Sequence, residues 1–337
     1  MDHLTKPLQA RLHAQLKVNH VMGASLAVIH NGVVELGAAG VKEIESGEPV
    51  KADAVFDVAS LSKPVVAYAA LQLADAGALD LDAPVCSYAR RIVRDDPASG
   101  LITARHLLTH TCGLQNVRAK DEPPRVHFPP GSRFSYSSTG FAYLQLAMEA
   151  RAGEPLEAIM RRLVFVPLGM TSSSFEWQER FRDNFASPHE EAKRLDKHIP
   201  SVASASYSLQ TTAGDYAAFV SAVLKGERLK ESTHRQWLTA TVSVPKDAAV
   251  DLGDTPTGTR PDVGWGLGWG VEPELGTFFQ WGKMDGIRAF VMGSMVEQTG
   301  VVLLTNSNTG LRLMKDVTRD IVPGHHPAID WLACVTE

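Results

Sequence analysis

The segment Ser60-Leu61-Ser62-Lys63, followed at once by Pro64 and a long apolar run, offers a serine hydroxyl its own amine base. An α-helix turns every 3.6 residues, so residues three apart in its first turn share a face and their side-chain heads come within reach. A hydroxyl relieved of its proton by such an amine attacks an ester or amide carbonyl and forms an acyl-enzyme. The pair needs a helix start at the right place. Residues 55–59 read as an approach segment, and Pro64 suits a first turn, where amide protons have no intrahelical partner. Ser60 then stands at the positive helix end, which favours an alkoxide and any anion formed beside it.

Ser-x-x-Lys by itself is expected about once by chance in a chain of this length. An ordinary N-cap serine beside a solvated lysine would look the same. Companion residues must decide, and the turn-rich stretch 129–140 supplies one by placing Tyr136 directly before a helical pattern. Near an ammonium a phenol ionises more easily and can exchange protons with a leaving group or a water. The plainer alternative is a tyrosine packed beneath a loop.

Periodicity outlines the elements that would carry these residues. An amphipathic helix is expected over 1–17, then strands over 24–29 and 33–38 joined by His30-Asn31-Gly32, a hairpin signal. Helices are expected over 64–75, 104–110, 140–152 and 156–166, and 245–261 reads as an exposed loop. Strands follow over 266–271, 277–282, 287–295 and 300–305, with a last helix over 311–321. Strands at both ends and helices between imply an α+β fold: one antiparallel sheet flanked by the terminal helices, with an all-helical lobe inserted. The expected division is an α/β domain from 1–62 and 200–337, a helical lobe over 63–199, and a site in the cleft between them.

With 337 residues, 44% of them hydrophobic and 21% charged, the chain can bury a large core. A net charge of -5 without a basic block argues against nucleic acid as a partner. No hydrophobic stretch has membrane-spanning length. Cys86, Cys112 and Cys334 are too few and too scattered for a disulfide framework, and no signal peptide is visible at the N-terminus, so a cytoplasmic location is expected.

The ordered segments together carry a resemblance. Phe56-Asp57-Val58-Ala59-Ser60-Leu61-Ser62-Lys63-Pro64 is followed by Leu79-Asp80-Leu81-Asp82-Ala83-Pro84-Val85 and by Ile102 through Leu108-Thr109-His110-Thr111-Cys112-Gly113-Leu114. The Tyr136 segment, Pro167-Leu168-Gly169-Met170 and Leu303-Leu304-Thr305-Asn306-Ser307 complete the series. The chain resembles the serine β-lactamase and penicillin-binding protein superfamily, nearest its class C, D-peptidase and family VIII esterase branch. That likeness implies a β-lactamase/transpeptidase-like fold with Ser60 as nucleophile and Lys63 and Tyr136 as proton-transfer partners, either of them the base in a given step. It also implies an oxyanion hole from the backbone amides of Ser60 and Lys283. Two departures concern substrate binding. The family's Tyr-x-Asn ends here in Ser138, and its Lys-or-His element on an edging strand reads Gln280-Trp281-Gly282, similar to the Trp-Gly form of esterase-like members. Gln280 cannot supply the positive charge that holds a substrate carboxylate. Lys283 lies close enough to substitute, or simply belongs to a hairpin turn.

Other patterns carry less. His106 and His110 have i, i+4 spacing, but Leu107 follows where a zincin needs glutamate, and the resemblance explains both as structural. Ser25 sits in Gly23-Ala24-Ser25-Leu26-Ala27, which lacks the second glycine of a nucleophile elbow and reads as strand. His325-His326 has no evident partner, and Trp265 and Trp269 suit packing. The expected activity is a cofactor-independent, metal-free serine hydrolase acting on small ester or amide substrates. β-Lactamase, D-peptidase or acyltransferase action on the same fold is the alternative, and a non-catalytic acyl-binding sensor is the alternative of another class.

Overall fold

The computed structural model describes residues 2–119 and 121–336. Strands Ile287–Ser294 and Thr299–Thr305 are apolar almost throughout, the composition of a sheet covered on both faces. Successive side chains of a strand point to opposite faces. Ala289, Val291, Val302 and Leu304 accordingly join one buried cluster with the central helices. Phe290, Met292, Val301 and Leu303 join another with the terminal helices.

The sheet has nine strands. Asp2–His3 pairs in parallel with Val33–Gly40 at one edge, and every later neighbour is antiparallel. From that edge the order runs Val33–Gly40, Gly23–His30, Thr299–Thr305, Ile287–Ser294, Thr277–Met284, Gly270–Glu272, Thr259–Trp265 and Val242–Pro245. The fold is therefore the expected α+β arrangement. Helices Lys6–Val18 and Pro327–Thr336 place Leu12, Leu16, Trp331 and Leu332 on one face. Helix Ala213–Lys225 covers the other face with Tyr216, Phe219, Val220 and Val223.

Helix Ser62–Asp75 is buried at every residue from Ser62 to Leu73. Its long apolar run is explained by this central position: Val65, Val66, Leu71 and their neighbours pack all round, at roughly 1.5–3 kcal/mol for each fully buried Val or Leu.

Several boundaries differ from the sequence expectation. The first helix begins at Lys6, and Met1 lies outside the described residues. The stretch 245–261 ends in a strand, Thr259–Trp265, whose Pro261 is tolerated near an irregular register between Ser243 and Pro245 of the edge strand. The strand expected over 266–271 starts only at Gly270. The helix expected over 104–110 stops at Leu108, because His110 takes a φ of 55°. The helix expected over 311–321 is a 3-10 turn, Gly310–Leu313, and a short helix, Met314–Thr318. Pro323 and Gly324 interrupt the chain, and Pro327 opens the true last helix. Among the described residues no helix is long and apolar enough to cross a membrane.

Candidate active site

The turn that carries Ser60 is held from three sides. Phe56–Asp57 pairs with Gln210–Thr211, and the chain then enters a 3-10 turn, Ala59–Leu61, that leads into the central helix. Ala59 has a φ of 46°, a conformation costly for a side chain with Cβ and one that concentrates at functional turns. Ser62 Oγ donates to the Ala59 carbonyl at 2.7 Å, and Tyr216 donates to the Leu61 carbonyl at 2.9 Å. On the third side lies strand Thr277–Met284. A Cβ at Gly282 would meet the Val58 carbonyl oxygen at 2.2 Å, so only glycine lets the strand come this close.

Lys63 is fully buried, and its Nζ donates to Ser60 Oγ at 3.0 Å, Ser138 Oγ at 3.2 Å and the Ser206 carbonyl at 2.8 Å. All three partners are neutral, and burial lowers the lysine pKa from 10.5 to about 7. Tyr136 is 4% exposed, its ring 4.9 Å from Lys63 Nζ. The easier ionisation expected beside an ammonium is not found: burial pushes its phenol well above the ordinary value, with Ser60 and Gln280 pulling in the opposite direction through hydrogen bonding.

The strand residues divide by face. Gln280 is fully buried and directs Nε2 toward Tyr136 Oη at 3.3 Å and the Ser60 carbonyl at 3.4 Å. Trp281 and Lys283 line the cleft together with Ser60, Tyr136 and Ser138. The Lys283 ammonium donates to the Thr336 carbonyl at 2.7 Å, so in this structure it does not occupy the place of a lysine at position 280. Its strand continues to Met284, leaving Asp285-Gly286 as a two-residue hairpin turn.

The cleft has a volume of about 780 Å³. Ile92, Val117, Leu146, Val250, Met284 and Val335 give it apolar walls, Arg118 and Lys283 are its cations, and among the described residues no carboxylate lines it. An uncharged acyl group fits such walls, and a reacting carbonyl there would meet a serine, an amine whose pKa is lowered to about 7 and a phenol together.

Of the sequence-predicted residues, Ser60, Lys63, Tyr136, Ser138, Trp281 and Lys283 converge on this cleft, while Gln280 and Gly282 stand behind it. Sequence reasoning missed Ser206, whose carbonyl binds Lys63, and Asn116, whose Oδ1 accepts from the Ser138 amide at 3.0 Å. A carbonyl leaves no side-chain signature. His106 forms a capping box with Thr103, and among the described residues no group of three or more His, Cys, Asp or Glu is placed to hold a metal. Ser25 lies within strand Gly23–His30, and Trp265 and Trp269 are fully buried.

A sheet antiparallel at all but one edge, with helices on both faces and a serine and a buried lysine at the start of the central helix, defines a fold of the β-lactamase/transpeptidase type. The chain belongs to the beta-lactamase family of serine hydrolases: the family model described as "Beta-lactamase" matches residues 8–323. Esterase EstB of Burkholderia gladioli is 32% identical over 222 residues, 55% of this chain and 56% of that protein, so the match spans little more than half of the relative. Penicillin-binding protein 4 of Amycolatopsis lactamdurans is 28% identical over 347 residues, covering 93% of this chain and 88% of that one. A solved class C beta-lactamase superposes with a TM-score of 0.73 at 20% identity, covering 89% and 90% of the two chains, and so shares the fold.

Proposed function

We propose that this protein hydrolyses small carboxylic esters through an acyl-enzyme on Ser60. Lys63 takes the serine proton as Oγ attacks the carbonyl carbon, and the developing oxyanion is held by the backbone amides of Ser60 and Lys283. Tyr136 passes a proton to the departing alcohol; a water then attacks the acyl group, giving up its proton to the same Lys63–Tyr136 pair, and the acyl–Oγ bond breaks as Ser60 Oγ takes a proton back from that pair and the acid leaves. No metal or cofactor takes part. The observation that carries this reading is the environment of Lys63: a buried amine 3.0 Å from Ser60 Oγ, lowered to about 7 and bound by neutral groups.

Esters are favoured over β-lactams and D-amino-acid peptides because position 280 offers a neutral, buried amide where a carboxylate-binding charge would be needed. Partial likeness to an esterase agrees. The second reading, action on a carboxylate-bearing amide or β-lactam, draws on Arg118 and Lys283 in the cleft and on the near full-length likeness to a penicillin-binding protein. The free cysteines Cys86, Cys112 and Cys334 favour a reducing compartment for this chemistry.

A short-chain nitrophenyl ester tests the proposal against Ser60→Ala. Loss of turnover with the fold intact is expected, and unchanged hydrolysis by the variant would remove Ser60 from the mechanism. Stable labelling by a fluorophosphonate without turnover of esters, amides or β-lactams would instead make the protein an acyl-binding sensor.

A further inference from the structure

His110 surrounds Tyr136 with contacts on three sides. Its backbone carbonyl accepts from the Ser135 amide at 2.8 Å. Its side-chain Nδ1 lies 3.0 Å from the Ser137 amide. Between these anchors the imidazole stacks on the Tyr136 ring, with centroids 4.2 Å apart and planes 31° from parallel. The residues immediately before and after the tyrosine, and the tyrosine ring itself, are thus fixed by one side chain and its own carbonyl.

The tautomer follows from the donor. A backbone N–H only donates, so Nδ1 carries the lone pair and the ring proton sits on Nε2. Burial and the nearby Lys63 keep the ring neutral by lowering its pKa well below 6.5. Two local costs concentrate on this residue. Its φ of 55° lies in the left-handed region, and its buried Nε2 has no hydrogen-bond partner among the described residues. A core position under no other demand is filled more cheaply by an apolar ring, and Phe134, Phe141 and Trp265 already surround it. The feature that phenylalanine lacks is the Nδ1 acceptor.

We infer that His110 is a positioning residue for the proton-transfer step: it clamps the Ser135-Tyr136-Ser137 segment so that the Tyr136 hydroxyl stays in reach of Ser60 and Lys63. This rests on the proposed role of Tyr136. The clamp also reaches Lys63 indirectly, because Ser137 caps the helix whose first residue, Ser138, binds the lysine. A displacement of about 1 Å in such a group costs up to about 10²-fold in rate.

Two substitutions at His110 and a Tyr136→Phe background separate the possibilities. His110→Asn keeps an acceptor near Nδ1 and tolerates the left-handed φ, and His110→Phe keeps the ring but not the acceptor. With ester substrate, H110F is expected to lose about 10–100-fold in kcat with KM little changed, and H110N to stay within about fivefold of the parent. In a Tyr136→Phe background, H110F is expected to cost nothing further in kcat. A folded H110F with parental kcat, or equal losses in H110F and H110N, overturns the clamp. Should H110F fail to fold, His110→Gly suits the φ and leaves space for a ring, and recovery of kcat on adding imidazole takes the place of that comparison; no recovery in the folded variant overturns the clamp. If Tyr136→Phe itself retains full activity, the Tyr136 role fails and the clamp falls with it, an outcome distinct from H110F alone being silent.

Discussion

Among the described residues two lysines are almost entirely buried, and they are buried differently. Lys42 is 4% exposed, and it pairs with Glu48 at 2.8 Å and donates to the Asp183 carbonyl at 2.6 Å. Lys63 is 0% exposed and, among the described residues, meets hydroxyls and a carbonyl with no carboxylate. The same contrast separates two histidines. His326 faces Glu272 at 2.7 Å; burial alone would lower its pKa, yet the Glu272 hydrogen bond and charge and the Val322 carbonyl raise it. His110 is pushed down by burial and by the Lys63 charge. The clusters around Lys42 and His326 thus contain a carboxylate, and the cluster at the cleft does not. Burial by itself makes no base; burial without a counter-charge does.

Lys63→Met tests the contrast most severely. Ester turnover is expected to fall by about 10³-fold or more, while the melting temperature rises by a few degrees, a gain of about 1–2 kcal/mol of the kind found when a functional polar group is removed from a core. The parent bears the cost of its buried amine in full at and below pH 7. That cost fades as pH rises toward 10.5, because in this window the unfolded chain binds the extra proton. The stability gain should therefore shrink in melts at pH 9.5. A parent more stable than K63M at pH 6 would contradict the account.

Ser138→Asp converts the cleft lysine into one of the paired kind. The acid limb of kcat/KM, expected near pH 7 in the parent, should move up by about 1–3 units. A pH–rate profile from 5 to 10 reads it directly, and an unmoved limb would mean that Lys63 is not the titrating base.

Glu272→Gln attacks a structural cluster instead. Thr277, His326 and the Ala328 amide all bind this carboxylate, and its removal is expected to cost about 3 kcal/mol of stability at pH 6. His326 is raised above 6.5 in the fold, so its contribution is complete below that pH and is lost as pH rises through the folded value. Denaturant titrations should show the gap between parent and E272Q narrowing toward pH 9, with kcat nearly unchanged at either pH. Lys42→Met should have the smallest effect, about 1 kcal/mol or less, since the Glu48 partner it releases is 53% exposed and regains water.

The chemistry-bearing residues are more legible than the frame around them. Ser60, Lys63 and Tyr136 stand at helix starts, where proline, small hydroxyl residues and the switch to helical periodicity coincide. The hairpin at Asn31-Gly32 and the doubly covered strands are equally open to reading, because continuous apolar runs have few other uses. What escapes depends on distance or on backbone. Glu272 and His326 meet across 54 residues, and nothing local announces it. Ser138 is a plausible substrate contact in sequence, but the helix it begins turns its hydroxyl onto Lys63. Strand Thr259–Trp265 hides behind Arg260-Pro261-Asp262, a composition suited to a turn. Helix Ala213–Lys225 does carry a local signal that sequence reasoning missed, with Thr212 accepting from the Asp215 amide and Gly226 closing the far end.

Gly282 touches the Val58 carbonyl through the absence of a side chain, while its neighbours Trp281 and Lys283 look into the cleft. The alternation of a single strand thereby separates two kinds of constraint. At 282 the limit is steric, since any side chain would meet backbone. At 281 it is one of packing, since the indole is nearly buried and its ring centroid lies 5.0 Å from that of Tyr136. Lys283 is bound by neither, and a lineage diversifying from this chain has its widest freedom there.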